Sequence, residues 1–277
     1  MRAISRRRFL ASTCLALSAI AAALPAHADI EKIRQSGVLK VAVYEDFPPY
    51  SANKQGIDVA FAEALAAKLG VKLSLLPFPA GEDLNDDLRN MVWKGHYLGY
   101  GPADVMLHVP YDPQLRNANP EVELLAPYHV ETVRLVRNVR KVPEYKGLES
   151  LAGKAIGAEK VSISGMLLLG EDNGKYRDTT KIFNTAAEAL EKLKAGELDA
   201  VLANRSEIES VLRDDPDFAM HEVAFQRLPR KGWIVSMAVK KDNLDLAKEL
   251  QAATNELVAS GELAKIFAKY GVQMVKP

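Results

Sequence analysis

The sequence predicts an α/β protein of two lobes with a ligand cleft between them. Three observations carry this expectation. Apolar residues alternate between strand-like and helix-like spacing along the chain, the alternation restarts at Lys154, and a late apolar strand with two following helices is able to return to the first run.

Residues 39–44 (Leu-Lys-Val-Ala-Val-Tyr) read as the first strand. Residues 57–69 read as a helix with Phe61, Leu65 and Leu69 on one face and Gly70 as its stop. Residues 71–78 form the next strand, and Leu84, Leu88, Met91 and Val92 share one face of a second helix. A third strand covers 103–107, a polar loop 111–123, and a strand leaving that region 132–136. In the second run, a short strand covers 154–157. Thr185 and Glu188 then form a capping box for a helix that ends at Gly196. A strand over 198–203, a helix over 206–213 and a long apolar strand over 233–239 follow. Asn243 is placed to cap a helix over 244–259, and 261–270 closes the chain. Strand–helix alternation argues for open, largely parallel sheets. The crossings between lobes fall near 132–136 and 233–239. Lobe one is then 29–131 plus 228–277, and lobe two 132–227. Such a pair of lobes places its cleft at the C-terminal ends of the strands.

The N-terminus reads as an export leader. A charged start, an apolar middle and Ala26-His27-Ala28 make a secretory signal. Ser5, Arg6-Arg7, Phe9 and Leu10 fit the twin-arginine consensus. The apolar run is too short and too cleanly ended to be a spanning helix. The leader holds four arginines and no acid. Without it, the 36 basic residues fall to 32 against 36 acidic ones, a net charge of −4. That balance excludes a nucleic-acid footprint, and no basic tract points to a membrane surface. The one cysteine, Cys14, lies within the leader, so the mature chain has neither disulfide nor thiolate. His96, His108 and His129 match no metal-ligand spacing, and no phosphate loop, dinucleotide fingerprint or nucleophile elbow appears. No metal or cofactor is expected. Trp93, Tyr97 and Tyr100 cluster in one connection, either as core cover or as a docking surface.

An ordered set of segments makes the chain similar to the family 3 periplasmic solute-binding proteins, which include the polar amino-acid receptors of ABC importers. They are residues 37–43, Phe47-Pro48-Pro49-Tyr50, Gly56-Ile57-Asp58-Val59, Ala103-Asp104-Val105-Met106, Ala126-Pro127-Tyr128, 148–157, 195–200 and 260–266. The resemblance implies a type II-like periplasmic binding fold that closes by hinge motion on a small ligand. It also implies an ABC permease as partner, a monomer and no catalysis. It assigns the ligand to Tyr44, Phe47, Tyr50, Arg116, Ser162, Ser164 and Asn204, and His108 joins them by its place at a strand's C-terminal end. Several bland readings stay open: Phe47 as core, Arg116 as a solvated loop residue, and the serines as helix caps. Asp58 and Asp199 are expected to be structural.

The departures from the family pattern bear on the ligand. Arg116 matches the family's carboxylate-clamping arginine by offset, but 111–115 replaces the usual small and hydroxyl residues. Asn204, followed by Arg205, stands where amino-acid receptors carry an aspartate for the ligand ammonium. The expected ligand is therefore a small polar or anionic solute, not a standard amino acid.

A closer resemblance is to the subset associated with quinoprotein dehydrogenases such as methanol dehydrogenase. It rests on Ser51-Ala52-Asn53-Lys54, Val109-Pro110, Tyr111-Asp112 and the long 90–104 connection. That subset implies an alternative role, as an accessory of a periplasmic quinoprotein dehydrogenase or its cytochrome. Cyclohexadienyl dehydratases also resemble the family, and Glu45, Asp46 and Glu159 are the carboxylates available to such an enzyme.

Cleavage is expected after Ala28. Intact-mass measurement of periplasmic material should then give a chain beginning at Asp29, and a retained leader would refute the assignment.

Overall fold

The computed structural model describes residues 28–225 and 232–277. The expected leader up to residue 27 and the expected lobe boundary at 227/228 lie outside the described residues. Two five-stranded sheets form the molecule.

The first sheet contains β1 (Val38–Tyr44), β2 (Lys72–Phe78), β3 (Val105–Pro110), β4 (Val122–Glu131) and β10 (Trp233–Lys240), in the order β2-β1-β3-β10-β4. α1 (Ala28–Ser36), α2 (Ile57–Lys68), α8 (Leu244–Ala259) and α9 (Glu262–Lys269) accompany it. Phe61, Leu65, Leu250 and Phe267 from three of these helices pack on Leu39 and Val41 in one core. On the other side, α3 (Leu84–Leu88) continues into a π-helical turn over Arg89–Trp93. Leu88, Met91 and Val92 meet Ala42, Met106 and Ala238 there.

The second sheet contains β5 (Val133–Asn138), β6 (Ile156–Glu159), β7 (Thr180–Phe183), β8 (Ala200–Asn204) and β9 (Phe218–Glu222), in the order β7-β6-β8-β5-β9. α5 (Ile163–Gly170) covers one face through Leu167 and Leu168. α6 (Ala186–Lys194) and α7 (Arg205–Leu212) cover the other through Leu190, Leu193 and Ile208.

The sheets are not largely parallel. In each, two pairings are parallel and two antiparallel. The parallel pairings belong to the strand–helix–strand units. The antiparallel ones all involve β10 in the first sheet and β5 in the second, the strands that begin just after each crossing and so enter their sheets reversed. β4 is absent from the sequence reading because Pro127 lies in its middle. The strand is at the sheet edge, where a missing N–H removes no ladder bond, and it bulges at Ala126 (φ 50°), where the register against β10 shifts. The expected polar loop at 111–123 also contains a helix, α4 (Pro113–Ala118). Asp112 caps it by accepting the Leu115 N–H at 2.8 Å, with Pro113 at its first position. Asn243 precedes α8 as expected, but its side chain makes no capping bond and its Oδ1 is buried without a partner.

The crossings meet at a polar seam in which Glu131 and His129 are fully buried. Only Thr132 separates β4 from β5. Glu131 just before it has no exposed surface, and its carboxylate accepts from the Tyr50 hydroxyl at 2.7 Å and the Thr132 N–H at 2.8 Å. Gly232 on the returning crossing has φ +77°, and a Cβ there would sit 1.9 Å from the Glu131 carbonyl oxygen. Two residues earlier, His129 accepts the Val275 N–H on Nδ1 at 3.1 Å, so its proton resides on Nε2, 3.2 Å from the Ser206 hydroxyl on α7. Desolvation, with Arg205 and His108 nearby, lowers the His129 pKa to about 3.

This lowering has a defined sign. The unfolded chain takes up a proton near the ordinary histidine pKa and the folded chain does not, so His129 costs stability as pH falls from about 6.5 towards 3. Between pH 7 and pH 5 the loss should be about 2 kcal/mol. Asp87, Glu159 and Glu207, whose pKa values are raised, act in the opposite direction. The measurement is therefore a difference. Urea denaturation of His129→Gln should show a smaller drop over that interval than the unmutated protein, and equal slopes would remove His129 from the account.

Candidate functional site

A cavity of about 440 Å³ opens between the two sheets. It lies at the C-terminal ends of β1, β6 and β8 and beside the end of β3, where open α/β sheets place their ligands. The first sheet and its loops contribute Tyr44, Glu45, Asp46, Phe47, Asp87, His108, Pro110 and Trp233. The second contributes Glu159, Val161, Ser162, Ser164, Asn204 and Glu207.

Six of the eight residues singled out in the sequence line this cavity: Tyr44, Phe47, His108, Ser162, Ser164 and Asn204. Tyr50 and Arg116 do not. Tyr50 is fully buried behind Phe47, with ring centroids 5.2 Å apart, and spends its hydroxyl on Glu131. Arg116 lies on α4 with its guanidinium 5.0 Å over the Tyr111 ring, and its Nε is buried without a partner. The helix that Asp112 caps carries Arg116 away from the cavity, which is why loop counting misplaced it.

The aromatic side of the cavity is a connected set. Phe47 meets Tyr44 edge-on at 6.1 Å and His108 edge-on at 4.8 Å. His108 is nearly buried, with Nδ1 3.2 Å from Asp58 Oδ2, and Asp58 Oδ1 accepts the Tyr128 hydroxyl at 3.2 Å. His108 has φ +61° at an irregularity in the β3–β10 register, and this bulge is what turns a strand residue into the cavity. Asp46 (φ 53°) and Val161 (φ 50°) are also non-glycine lining residues in left-handed conformation. Backbone strain of this kind collects at functional sites.

On the other side, the Ser162 hydroxyl is occupied. It donates to the Glu159 carbonyl at 2.7 Å and accepts the Gly165 N–H at 3.0 Å, a helix-start arrangement for α5. Ser164 is 4% exposed, lines the cavity, and its hydroxyl has no partner among the described residues. Asn204 begins α7, where its N–H donates to Glu207 Oε2 at 2.8 Å. Arg205 turns away, ion-paired with Glu209 at 3.2 Å and donating to the Gln273 carbonyl at 2.6 Å.

Electrostatically the cavity is acidic. Glu45, Asp46, Asp87, Glu159 and Glu207 line it, with no lysine or arginine among the described lining residues. Desolvation raises the pKa of Asp87 although the Gly81 N–H and the Tyr44 hydroxyl donate to it. It raises Glu159, which accepts the Ala186 N–H at 3.3 Å. Glu207, deeply buried, is pushed well above the usual carboxylate range by desolvation and then by Glu159. Sequence reasoning missed Asp87, Glu207 and Trp233 as lining residues. The spacing Asn204-x-x-Glu207 is a capping-box signature and could have located Glu207 at the same helix start. Nothing in the sequence brings Asp87 on α3 to Tyr44, 43 positions earlier. The aromatic connection at 93–100 lies apart from the cavity: His96 stacks on Tyr100 at 4.3 Å and Tyr97 is exposed.

No family model matches the chain. The L-cystine-binding protein TcyJ of Escherichia coli is 22% identical over 265 residues, covering 89% of this chain and 88% of that protein. The solved structure of an ancestral cationic amino acid solute-binding protein, AncCDT-1, matches with a TM-score of 0.68 at 18% identity, covering 87% of this chain and 99% of that one. A cyclohexadienyl dehydratase of Pseudomonas aeruginosa is 39% identical over 72 residues, covering 24% of this chain and 27% of that enzyme. TcyJ and AncCDT-1, similar over most of the chain, are named as binding proteins, whereas the likeness to an enzyme is local. The mixed α/β architecture of two sheets with a cavity between them is thus the two-lobe fold of the periplasmic binding proteins.

Proposed function

We propose that this chain is the solute-binding component of an ABC importer in the periplasm. It takes a small polar solute other than a standard α-amino acid between its lobes and performs no chemistry on it. The lobes in this reading are 29–131 with 228–277 and 132–227, closing about the Glu131–Gly232 seam. The observation that carries the proposal is the cavity itself, of ligand size and lined from both sheets at their strand ends. The similarity to TcyJ along most of both chains supports it.

The exclusion of α-amino acids rests on what faces the cavity. Arg116, the candidate clamp for a ligand carboxylate, is on α4 over Tyr111. Without such a clamp the ligand carboxylate would meet acidic neighbours. The anionic solute expected from sequence is opposed by the same lining. That expectation rested on Arg116 and the Ser162–Ser164 segment; the serines line the cavity, but Arg116 does not.

Calorimetry and thermal shift over a panel of amino acids, organic acids, sugars and amines test the proposal. A ligand at a hundredfold excess over its Kd should stabilise the protein by about 2.7 kcal/mol, seen as a melting-temperature rise of several degrees. Phe47→Ala should weaken that ligand by about tenfold through lost aromatic contact. Silence across the panel, or turnover of prephenate or arogenate lost in Glu159→Gln, would overturn the reading. Tight binding of a standard amino acid would remove its specificity clause.

A further inference from the structure

We infer that the cavity takes a small organic cation, an ammonium or guanidinium compound that binds through its positive group and needs no carboxylate of its own. This inference rests on the solute-binding reading above and names the ligand class.

The first support is the state of the acidic side chains. Asp87 meets only neutral donors, the Gly81 N–H and the Tyr44 hydroxyl. Glu159 meets the Ala186 N–H, and Glu207 the Asn204 N–H. None of the three forms an ion pair among the described residues; a desolvated carboxylate is either neutralised by taking up a proton or matched by a cation or a metal, and a cationic ligand supplies that match. Thirteen pairs of a lysine or arginine with an acid are formed elsewhere among the described residues, so the unmatched carboxylates are a local property of the cavity.

The second support is independent of charge. Ser164 is 4% exposed, lines the cavity and has a hydroxyl without a protein partner among the described residues. The side chain is buried around a hydroxyl that no protein group uses, and that hydroxyl can accept from a ligand N–H.

The third is aromatic. Tyr44, Phe47 and Trp233 line the same space. Ring faces attract ammonium and guanidinium groups and give nothing comparable to an anion. A sugar would use aromatics and hydroxyls, but it would leave the carboxylates without a countercharge.

Isothermal calorimetry with matched pairs tests the inference: agmatine against arginine, and cadaverine against lysine. Each pair shares its cationic end and differs by the α-carboxylate. The amine should bind at least tenfold tighter than its amino acid. Asp87→Asn and Glu159→Gln, verified as folded by circular dichroism, should each weaken the amine about tenfold. Equal or tighter binding of the amino acid overturns the inference, as does amine affinity unchanged in both variants. Binding of succinate or glucose without any amine also overturns it, and leaves the solute-binding reading standing. Silence of the folded protein towards every compound removes both.

Discussion

The fold turns on burying one carboxylate. Glu131 has no exposed surface and stands where the chain leaves its first sheet for its second. A buried carboxylate is tolerable only when donors reach it, and here they are the Tyr50 hydroxyl and the N–H of the very residue that makes the crossing. That requirement sets the rest of the seam. Tyr50 must be drawn inward rather than towards a ligand. The returning chain must pass close to the Glu131 carbonyl, so that a Cβ at position 232 has no room. The C-terminal segment ties in at the same level: Val130 donates to the Val275 carbonyl, and Gln273 bonds Arg205 and Glu209 of α7. One buried acid thus organises two crossings and a tail, and the two sheets face each other across the cavity beside it.

The cavity inherits its chemistry from that geometry. Strand ends of two sheets point their loops at one space, and those loops happen to carry acids. Helix starts are where carboxylates are most comfortable, because they accept free N–H groups there. Glu207 at the start of α7 fits this rule, and Glu159 meets the Ala186 N–H that opens α6. In most proteins such residues are only caps. Here the opposed sheets place them around a common void with Asp87 from the other lobe, and local capping becomes a shared field. The left-handed conformations at Asp46, His108 and Val161 belong to the same picture, because each re-aims the chain at the rim.

Strand and helix positions were largely legible because they depend on local periodicity. β1, α2, β2, β8, β10 and α8 fall within a residue or two of where apolar spacing puts them. β4 was illegible because an edge position and a bulge absorbed its proline, and edge position is a property of the finished sheet. Asn243 looked like a cap and is not one, since its side chain turns into a buried site without a partner. In the cavity, Phe47 and His108 were legible because they follow or end strands, and strand ends point at the cleft whatever the rest does. Arg116 was misplaced for the opposite reason: a single capped turn between it and β3 changed its direction.

By itself, then, the chain determined the alternation of elements, their division into two runs and the strand ends that carry the ligand loops. These follow from apolar period, turn residues and caps, all short-range. Only the tertiary structure decided which polar residues meet. Glu131 with Tyr50, His129 with Ser206, and Asp87 with the acids of the second lobe are separated by tens of positions, and no local propensity joins them. The sign of the cavity's charge was decided there too. Sequence counting set Arg116 beside the ligand, but folding turned it away and left the carboxylates, because direction is set by packing and caps rather than by offset along the chain.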